Sequence, residues 1–307
     1  MRVRAFAPGT VANVGPGFDV LGLALSGPGD TVIAERSGDG RVAIRDSGHP
    51  EIPREAGKNT AGIAALMVLA KAEVSGTGVV LEVAKGLPLS GGQGGSAASA
   101  AAAAVAVNAL LGSPLSREDL LDACLDAEAA VAGRHADNVA AALFGGIILV
   151  RSLDPPDIVR LGHPEGLRVV LVEPEQRLRT EEARAALPRS VDRNIAVAQA
   201  ANVGALVAAL AKGDFALLGR AIEDRIAEPA RAPLLPGFAE AKSAAIEAGA
   251  HGCSISGAGP AVFAFASDDN FASRVGKAMV AAYERRGIAA RASVRTIDRA
   301  GARVVEG

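Results

Sequence analysis

The chain has 307 residues, half of them hydrophobic, with 32 basic against 34 acidic side chains and a net charge of −2. That length supplies ample core for two domains of ordinary size, and the near-neutral balance argues against nucleic acid or an anionic membrane as the main partner. With no Trp, one Tyr and eight Phe, there are few platforms for stacking bases, which disfavours single-strand binding.

Residues 2–7 alternate into a first strand. Pro8-Gly9-Thr10-Val11-Ala12-Asn13-Val14-Gly15-Pro16-Gly17 is a turn-rich loop, and an apolar stretch follows over 18–25 that carries Asp19. Asn13 and Asp19 thus flank a glycine-proline loop, where an Asx turn and a loop cap are the plain structural readings. Residues 31–35 and 41–45 predict a hairpin around Ser37-Gly38-Asp39-Gly40. Asn59-Thr60 starts a helix to about residue 73, with Ile63, Leu66, Met67 and Ala70 at helical spacing. A strand follows over 78–85.

Four of the five residues from Gly91 to Gly95 are glycine, in Pro88-Leu89-Ser90-Gly91-Gly92-Gln93-Gly94-Gly95-Ser96-Ala97, and a long alanine run lies behind them. Alanine has the highest helix propensity, so the unit reads strand, glycine loop, helix. A helix start offers free backbone N–H groups and a partial positive charge, and glycines let an anionic ligand approach the backbone. Ser96 falls where the helix begins; it either caps the helix or offers its hydroxyl to a metal ion beside a phosphate. No Gly-Lys-Ser/Thr follows, so the loop is not a Walker loop. A dinucleotide reading stays open only in the variant that ends in alanine, and no acidic residue stands about 20 residues on at a strand end, as that fold requires.

Ser116 and Asp119 mark the start of a helix that carries Glu128 near its end. Gly133-Arg134-His135-Ala136-Asp137-Asn138 is a polar knot; Asp137 or Asn138 capping a short helix over 139–144 is the plain reading, with His135 a loop residue. Strand 147–150 precedes residues 151–166, whose composition is that of a linker, so domains are expected at 1–155 and 156–307. Beyond it come a strand at 167–172, helices at 180–187, 194–212, 215–226 and 237–248, a second glycine loop at 253–260, a strand at 261–266, a helix at 271–286 and a strand at 291–296. The second half therefore reads β-α-α-α-α-β-α-β, helices on an antiparallel sheet. Thr180 and Arg184, four apart, share a helix face. Cys124 and Cys253 have no partners at metal spacing and read as buried free thiols. No signal-peptide core and no uninterrupted apolar run of spanning length occur, so a soluble cytoplasmic protein is expected.

Three motifs in order, 8–17, 88–99 and Ser256-Gly257-Ala258-Gly259-Pro260, together resemble the kinase superfamily of galactokinase, homoserine kinase, mevalonate kinase and phosphomevalonate kinase, and within it the homoserine kinase family. The stretch from Glu128 to His135-Ala136-Asp137-Asn138, Asp224 to Gly237 and Gly249 to Pro260 extend the resemblance over nearly the whole chain. It implies an α+β two-domain fold, with an N-terminal ribosomal-protein-S5-domain-2-like domain and a C-terminal ferredoxin-like domain. The activity it implies is ATP-dependent phosphorylation of the L-homoserine hydroxyl, a step toward threonine, in a cytoplasmic enzyme for which a homodimer is plausible.

The resemblance also assigns residues. The loop around Pro88, Gly91, Gly92, Gly94, Gly95, Ser96 and Ala97 would hold the triphosphate with Gly257 and Gly259, and Asn59 would lie near the adenine. Ser96 and Glu128 would hold Mg2+. Asp19 and Asn138 would take the substrate ammonium, Arg184 and Arg231 its carboxylate, with Arg225 the weaker alternative, and Asn13 its hydroxyl; His135 and Thr180 would shape the pocket. The chain has no lysine before Lys58, so catalysis is expected by positioning and charge stabilisation, with Asp137 the fallback base. The family loop usually reads Gly-Ser-Gly-Leu-Gly-Ser-Ser-Ala; here Gln93 replaces the leucine and Gly95 the first serine, swaps expected to loosen the loop. Another small-molecule kinase of the superfamily and a non-catalytic ATP-binding regulator are the rival readings.

Overall fold

The computed structural model describes residues 1–305 apart from 75 and 132. In chain order the elements are β1 (Arg2–Ala12), β2 (Leu21–Ser37), β3 (Val42–Asp46), α1 (Thr60–Lys71), β4 (Gly78–Ala84), α2 (Gly95–Leu110), α3 (Arg117–Ala129), α4 (Ala136–Phe144), β5 (Ile147–Leu153) and β6 (Pro156–Leu161). Then come β7 (Arg168–Pro174), α5 (Thr180–Ala185), α6 (Arg193–Lys212), α7 (Phe215–Ala221), α8 (Ala227–Arg231), α9 (Phe238–Glu247), β8 (Cys253–Ile255), β9 (Val262–Ala266), α10 (Asp269–Arg285), β10 (Ala290–Arg295) and β11 (Arg303–Val304).

The first sheet runs β11-β1-β2-β4-β3, with β5 and β6 branching from the start of β2; the second runs β10-β7-β9-β8. Helices α1 to α4 cover one face of the first sheet. Their alanines pack against Val32, Ala34, Val79 and Leu81, each fully buried. Alanine fits here because α2 touches both the sheet and α1, and a larger side chain would hold these elements apart.

The two central strands of the second sheet, β7 and β9, are buried on both faces. Val169, Leu171, Phe263 and Phe265 face α6, α7 and the start of β2, while Val170, Val172, Val262 and Ala264 face α9 and α10. Two-sided burial explains why β7 and β9 read as continuous apolar runs rather than alternating ones. The core shared by Val14, Leu21 and Leu23 with Leu167, Leu171 and Phe263 joins the two halves.

Several expectations change. The hairpin around 37–40 does not form, because β4 lies between β2 and β3. β2 and β4 pair over residues 31–37 and 78–84, whereas β3 pairs in parallel on the outer edge of β4. β3 buries only Ile44, so it has too little apolar surface to compete for the central lane. The division expected at residue 155 falls inside the β5–β6 hairpin, which belongs to the first sheet. The second sheet begins at Arg168, and β11 returns to the first. The helix expected over 215–226 stops at Ala221, since the Asp224 carboxylate collects the N–H groups of Ile226, Ala227 and Glu228 at 2.9, 3.1 and 2.8 Å.

Capping is also settled. Asn59 caps α1 and Ser116 forms a capping box with Asp119. Gly94, in the left-handed conformation, starts α2, so Ser96 is not the cap. His135 occupies the cap position of α4, and neither Asp137 nor Asn138 does. Both cysteines are buried free thiols, and burial pushes the Cys253 thiol up to about 12. α6 is the one helix among the described residues long and apolar enough to cross a membrane by length and composition.

Candidate active site

One cavity opens where the loop before α2 meets Asn13 just after β1, the N-terminus of α4 and the segment leading into α5. Two glycines decide how close the parts come. A Cβ on Gly92 would lie 2.7 Å from the Ser256 carbonyl oxygen and 2.9 Å from that of Gly259; one on Gly94 would lie 2.0 Å from Thr10 Oγ1. Both also have φ near +70°, at 72° and 66°, where only glycine is unstrained. The first glycine loop therefore packs edge-on against the second. Ser256 Oγ donates to the Gly92 carbonyl at 2.6 Å and Gly257 N–H to that of Ala12 at 3.0 Å.

At the mouth of α2, Ser96 Oγ donates to Glu128 Oε1 at 3.1 Å. Glu128 is 5% exposed, and its Oε2 is buried with no hydrogen-bond partner among the described residues. Burial pushes this carboxyl up to about 7, against the lowering pull of the Ser96 hydroxyl. A buried carboxylate oxygen left over beside a hydroxyl fits a hard cation, which takes few protein oxygens.

Asp137, on the next helix and near enough for its charge to act on Glu128, is 2% exposed. It accepts the backbone N–H of Asn13 at 3.2 Å and of Asn138 at 3.0 Å. Burial first, and the neighbouring Asp19 second, raise its carboxyl to about 6. Asn13 holds φ at 54° and Asp19 at 58°, both in the left-handed region, and the Asn13 amide bridges the Gly257 carbonyl and the Asp19 N–H. Residues held in this conformation cluster at ligand sites.

The charged groups converge. Arg184 makes a two-pronged pair with Asp19, at 2.8 and 3.3 Å, and His135 Nδ1 lies 3.5 Å from the same carboxylate. Arg184 Nε is buried with no partner among the described residues. Arg231, 2% exposed, donates to the Gly257 and Ala183 carbonyls, and it shares the Phe18 ring with Arg184. Burial, then the charge of Arg184, lowers the Arg231 pKa.

Residues from both halves of the sequence thus line one space. Asn13, Asn59, Pro88, Gly91, Gly92, Gly94, Gly95, Ser96, Glu128, His135, Asp137, Asn138, Thr180, Arg184, Arg231, Gly257 and Gly259 all border it. Asp19 reaches it through Arg184 and His135. Ala97 does not border it in the same way, being fully buried in the first core. Arg225 is half exposed and pairs with Glu223, away from the cavity, so it is no alternative to Arg231.

The profile described as GHMP kinases N terminal domain matches residues 59–146, and GHMP kinases C terminal matches 206–285. The homoserine kinase of Chlorobium phaeobacteroides is 43% identical, the alignment covering 92% of each chain. That of Arabidopsis thaliana is 43% identical over 99% of this chain and 85% of its own length. The chain belongs to the homoserine kinases of the GHMP family. The crystal structure of homoserine kinase from Cytophaga hutchinsonii superposes with a TM-score of 0.95 at 42% identity, over 99% of this chain and 97% of that one. The two-domain GHMP kinase fold follows.

In this homoserine kinase family member one lining residue, Lys85, and one residue behind the lining, Thr10, escaped the sequence reading. Lys85, at the end of β4, borders the cavity and forms a buried pair with Asp30 while donating to the Gly95 carbonyl and Ser99 Oγ at 2.9 and 3.0 Å. Its position directly before the loop was the available signal. Thr10 Oγ1 donates to Asn138 Oδ1 at 2.6 Å, a contact across 128 residues that no local pattern announces. Asn59 borders the cavity, but its amide is engaged, accepting from Ala61 and Gly62 and donating to the Pro53 carbonyl.

Proposed function

We propose that this protein phosphorylates the side-chain hydroxyl of L-homoserine with ATP. The carrying observation is the convergence of an anion-accepting helix mouth with a paired carboxylate and guanidinium set in one cavity, in a chain whose relatives are homoserine kinases. The backbone of the loop from Gly91 to Ser96 would receive the triphosphate, with Gly257 and Gly259 as its floor. Ser96 and Glu128 would hold Mg2+, which when bound offsets phosphate charge as the phosphoryl group moves. Arg184 and Arg231 suit the homoserine carboxylate, since a guanidinium can bind it through two hydrogen bonds, and Arg184 Nε has no partner among the described residues. Asp19 and Asn138 suit its ammonium, Asn13 its hydroxyl, and His135 and Thr180 orient the molecule. Asn59 serves the adenine end through the loop it ties down.

We place the enzyme in the cytoplasm as a soluble protein. α6, despite its apolar length, is tied into the fold through Gln199 to the Pro16 carbonyl at 2.8 Å and Asn202 to that of Glu223 at 2.9 Å.

The testing experiment is ADP release on adding homoserine, with and without magnesium. Magnesium-dependent release with homoserine is expected. Turnover of mevalonate or a sugar with none of homoserine would overturn the substrate assignment, and ATP binding without ADP release would favour a regulator.

Catalysis here runs by positioning. Both Asp137 oxygens already accept backbone N–H groups, so its first task is to join the loop of Asn13 to the start of α4. Asp137→Asn is expected to keep kcat within about a hundredfold of wild type, below the ~10⁴-fold upper range for losing a general base. Steady-state rates decide this, with a loss of several orders at intact fold pointing to a base. The pH dependence has a definite sign. The folded Asp137 pKa of about 6 exceeds that of an ordinary aspartate. Its contribution is therefore most favourable at acid pH and declines as pH rises from about 4 through 6. Thermal melting between pH 4.5 and 7.5 is expected to show that decline in wild type and a shallower one in Asp137→Asn.

A further inference from the structure

Gln93, whose presence is expected to loosen the loop, is the one residue from Gly91 to Gly95 with a side chain, and that side chain is tethered. It is 6% exposed, with glycine on both sides. Its carbonyl accepts from Thr10 N–H at 3.0 Å, and its side-chain Nε2 donates to Glu173 Oε1 at 2.7 Å. Glu173 is the penultimate residue of β7, in the second sheet. The chain leaving β7 becomes the wall of the cavity. Leu178 anchors it in the second-half core, Arg179 stands at the cap of α5, and Thr180 and Arg184 follow.

We infer that the Gln93–Glu173 hydrogen bond is a coupling contact that ties the order of the nucleotide-binding loop to that of the acceptor-binding segment, making ATP and homoserine bind cooperatively. The inference rests on the homoserine kinase reading. Its physical basis is entropic. A run of glycines has large conformational freedom to lose when a triphosphate orders it. Ordering the loop fixes the Gln93 amide, which holds Glu173 and with it the root of the segment bearing Thr180 and Arg184. The acceptor then binds to a segment already in place, and linkage makes the effect reciprocal. A hydrogen bond with one charged partner is worth roughly ten- to a hundredfold in an equilibrium. A leucine at this position could not make it. Gln93 and Glu173 are in this sense positioning residues, acting through the loop and through α5.

The test is calorimetric binding of L-homoserine with and without a non-hydrolysable ATP analogue and magnesium. Wild type is expected to bind homoserine about tenfold tighter with the analogue present. In Gln93→Leu and in Glu173→Ala the ratio is expected to fall to within about twofold of unity. Exchanging donor and acceptor, Gln93→Glu together with Glu173→Gln, is expected to restore it, while Gln93→Glu alone, which sets two carboxylates face to face, is not. If Gln93→Leu does not fold, Glu173→Ala carries the comparison. A wild-type ratio near one overturns the inference. So does a ratio that survives in either foldable single variant, or a double exchange no better than Gln93→Glu alone. Absence of homoserine binding in both states would instead overturn the substrate assignment beneath it.

Discussion

Glu128→Gln is expected to lower kcat/KM for ATP by about a thousandfold, the equivalent of ~4 kcal/mol of transition-state stabilisation, a reasonable share for one ligand to a catalytic cation. The side chain keeps its size and its contact with Ser96, so the loss isolates the charge of the carboxylate. Stability separates this from simple damage. Burial raises the Glu128 carboxyl to about 7, whereas an unfolded glutamate ionises near 4.5. As pH rises through that window the folded protein must ionise a buried group, so it loses stability, by ~3 kcal/mol at pH 8 on linkage. The glutamine variant has no such loss, and its melting temperature at pH 8 without ligand is expected to equal or exceed wild type. Steady-state kinetics over a magnesium titration, paired with melting curves, read both. A variant that keeps full activity would remove Glu128 from the cation site.

Arg184→Met is expected to raise the KM for homoserine by about a hundred- to a thousandfold. Truncating one member of a hydrogen-bonded charge pair costs ~2–5 kcal/mol, much of it from the partner left behind. Here the partner is Asp19, which loses both prongs of its contact with Arg184 at 2.8 and 3.3 Å. On the proposed assignment the substrate carboxylate loses a guanidinium at the same time. Arg225→Met is the control, since Arg225 pairs with Glu223 at the surface and is expected to change the KM by less than about twofold, as exposed ion pairs are worth little. Equal KM values in the two variants would refute the carboxylate assignment of Arg184.

Helices α1, α2 and α3 could be read off because their determinants lie within a few residues: Asn59 and Ser116 at caps, apolar spacing, a run of alanine. The glycine loop ahead of α2 was legible for the same reason. Pairing between strands was not. Residues 31–35 and 41–45 look like partners because they are neighbours, yet β4, some forty residues on, buries more apolar surface against β2 and takes the place. β8 was hidden inside a glycine-rich motif, since three residues, all buried, give no periodicity to detect.

The site divides along the same line. Asn13, Asp19, Glu128, Asp137, Asn138, Arg184 and Arg231 could be named as candidates from motifs, because the residue types suit an amino acid and a phosphate whatever the fold. Their relation could not. That Asp19 pairs with Arg184 across 165 residues, and that Gln93 reaches Glu173 across 80, is decided by two sheets packed through a shared core. Capping, propensity and loop chemistry are short-range and are written into adjacent residues. Which carboxylate meets which guanidinium depends on the free energy of burying whole faces against each other, a sum over the chain that no single stretch contains.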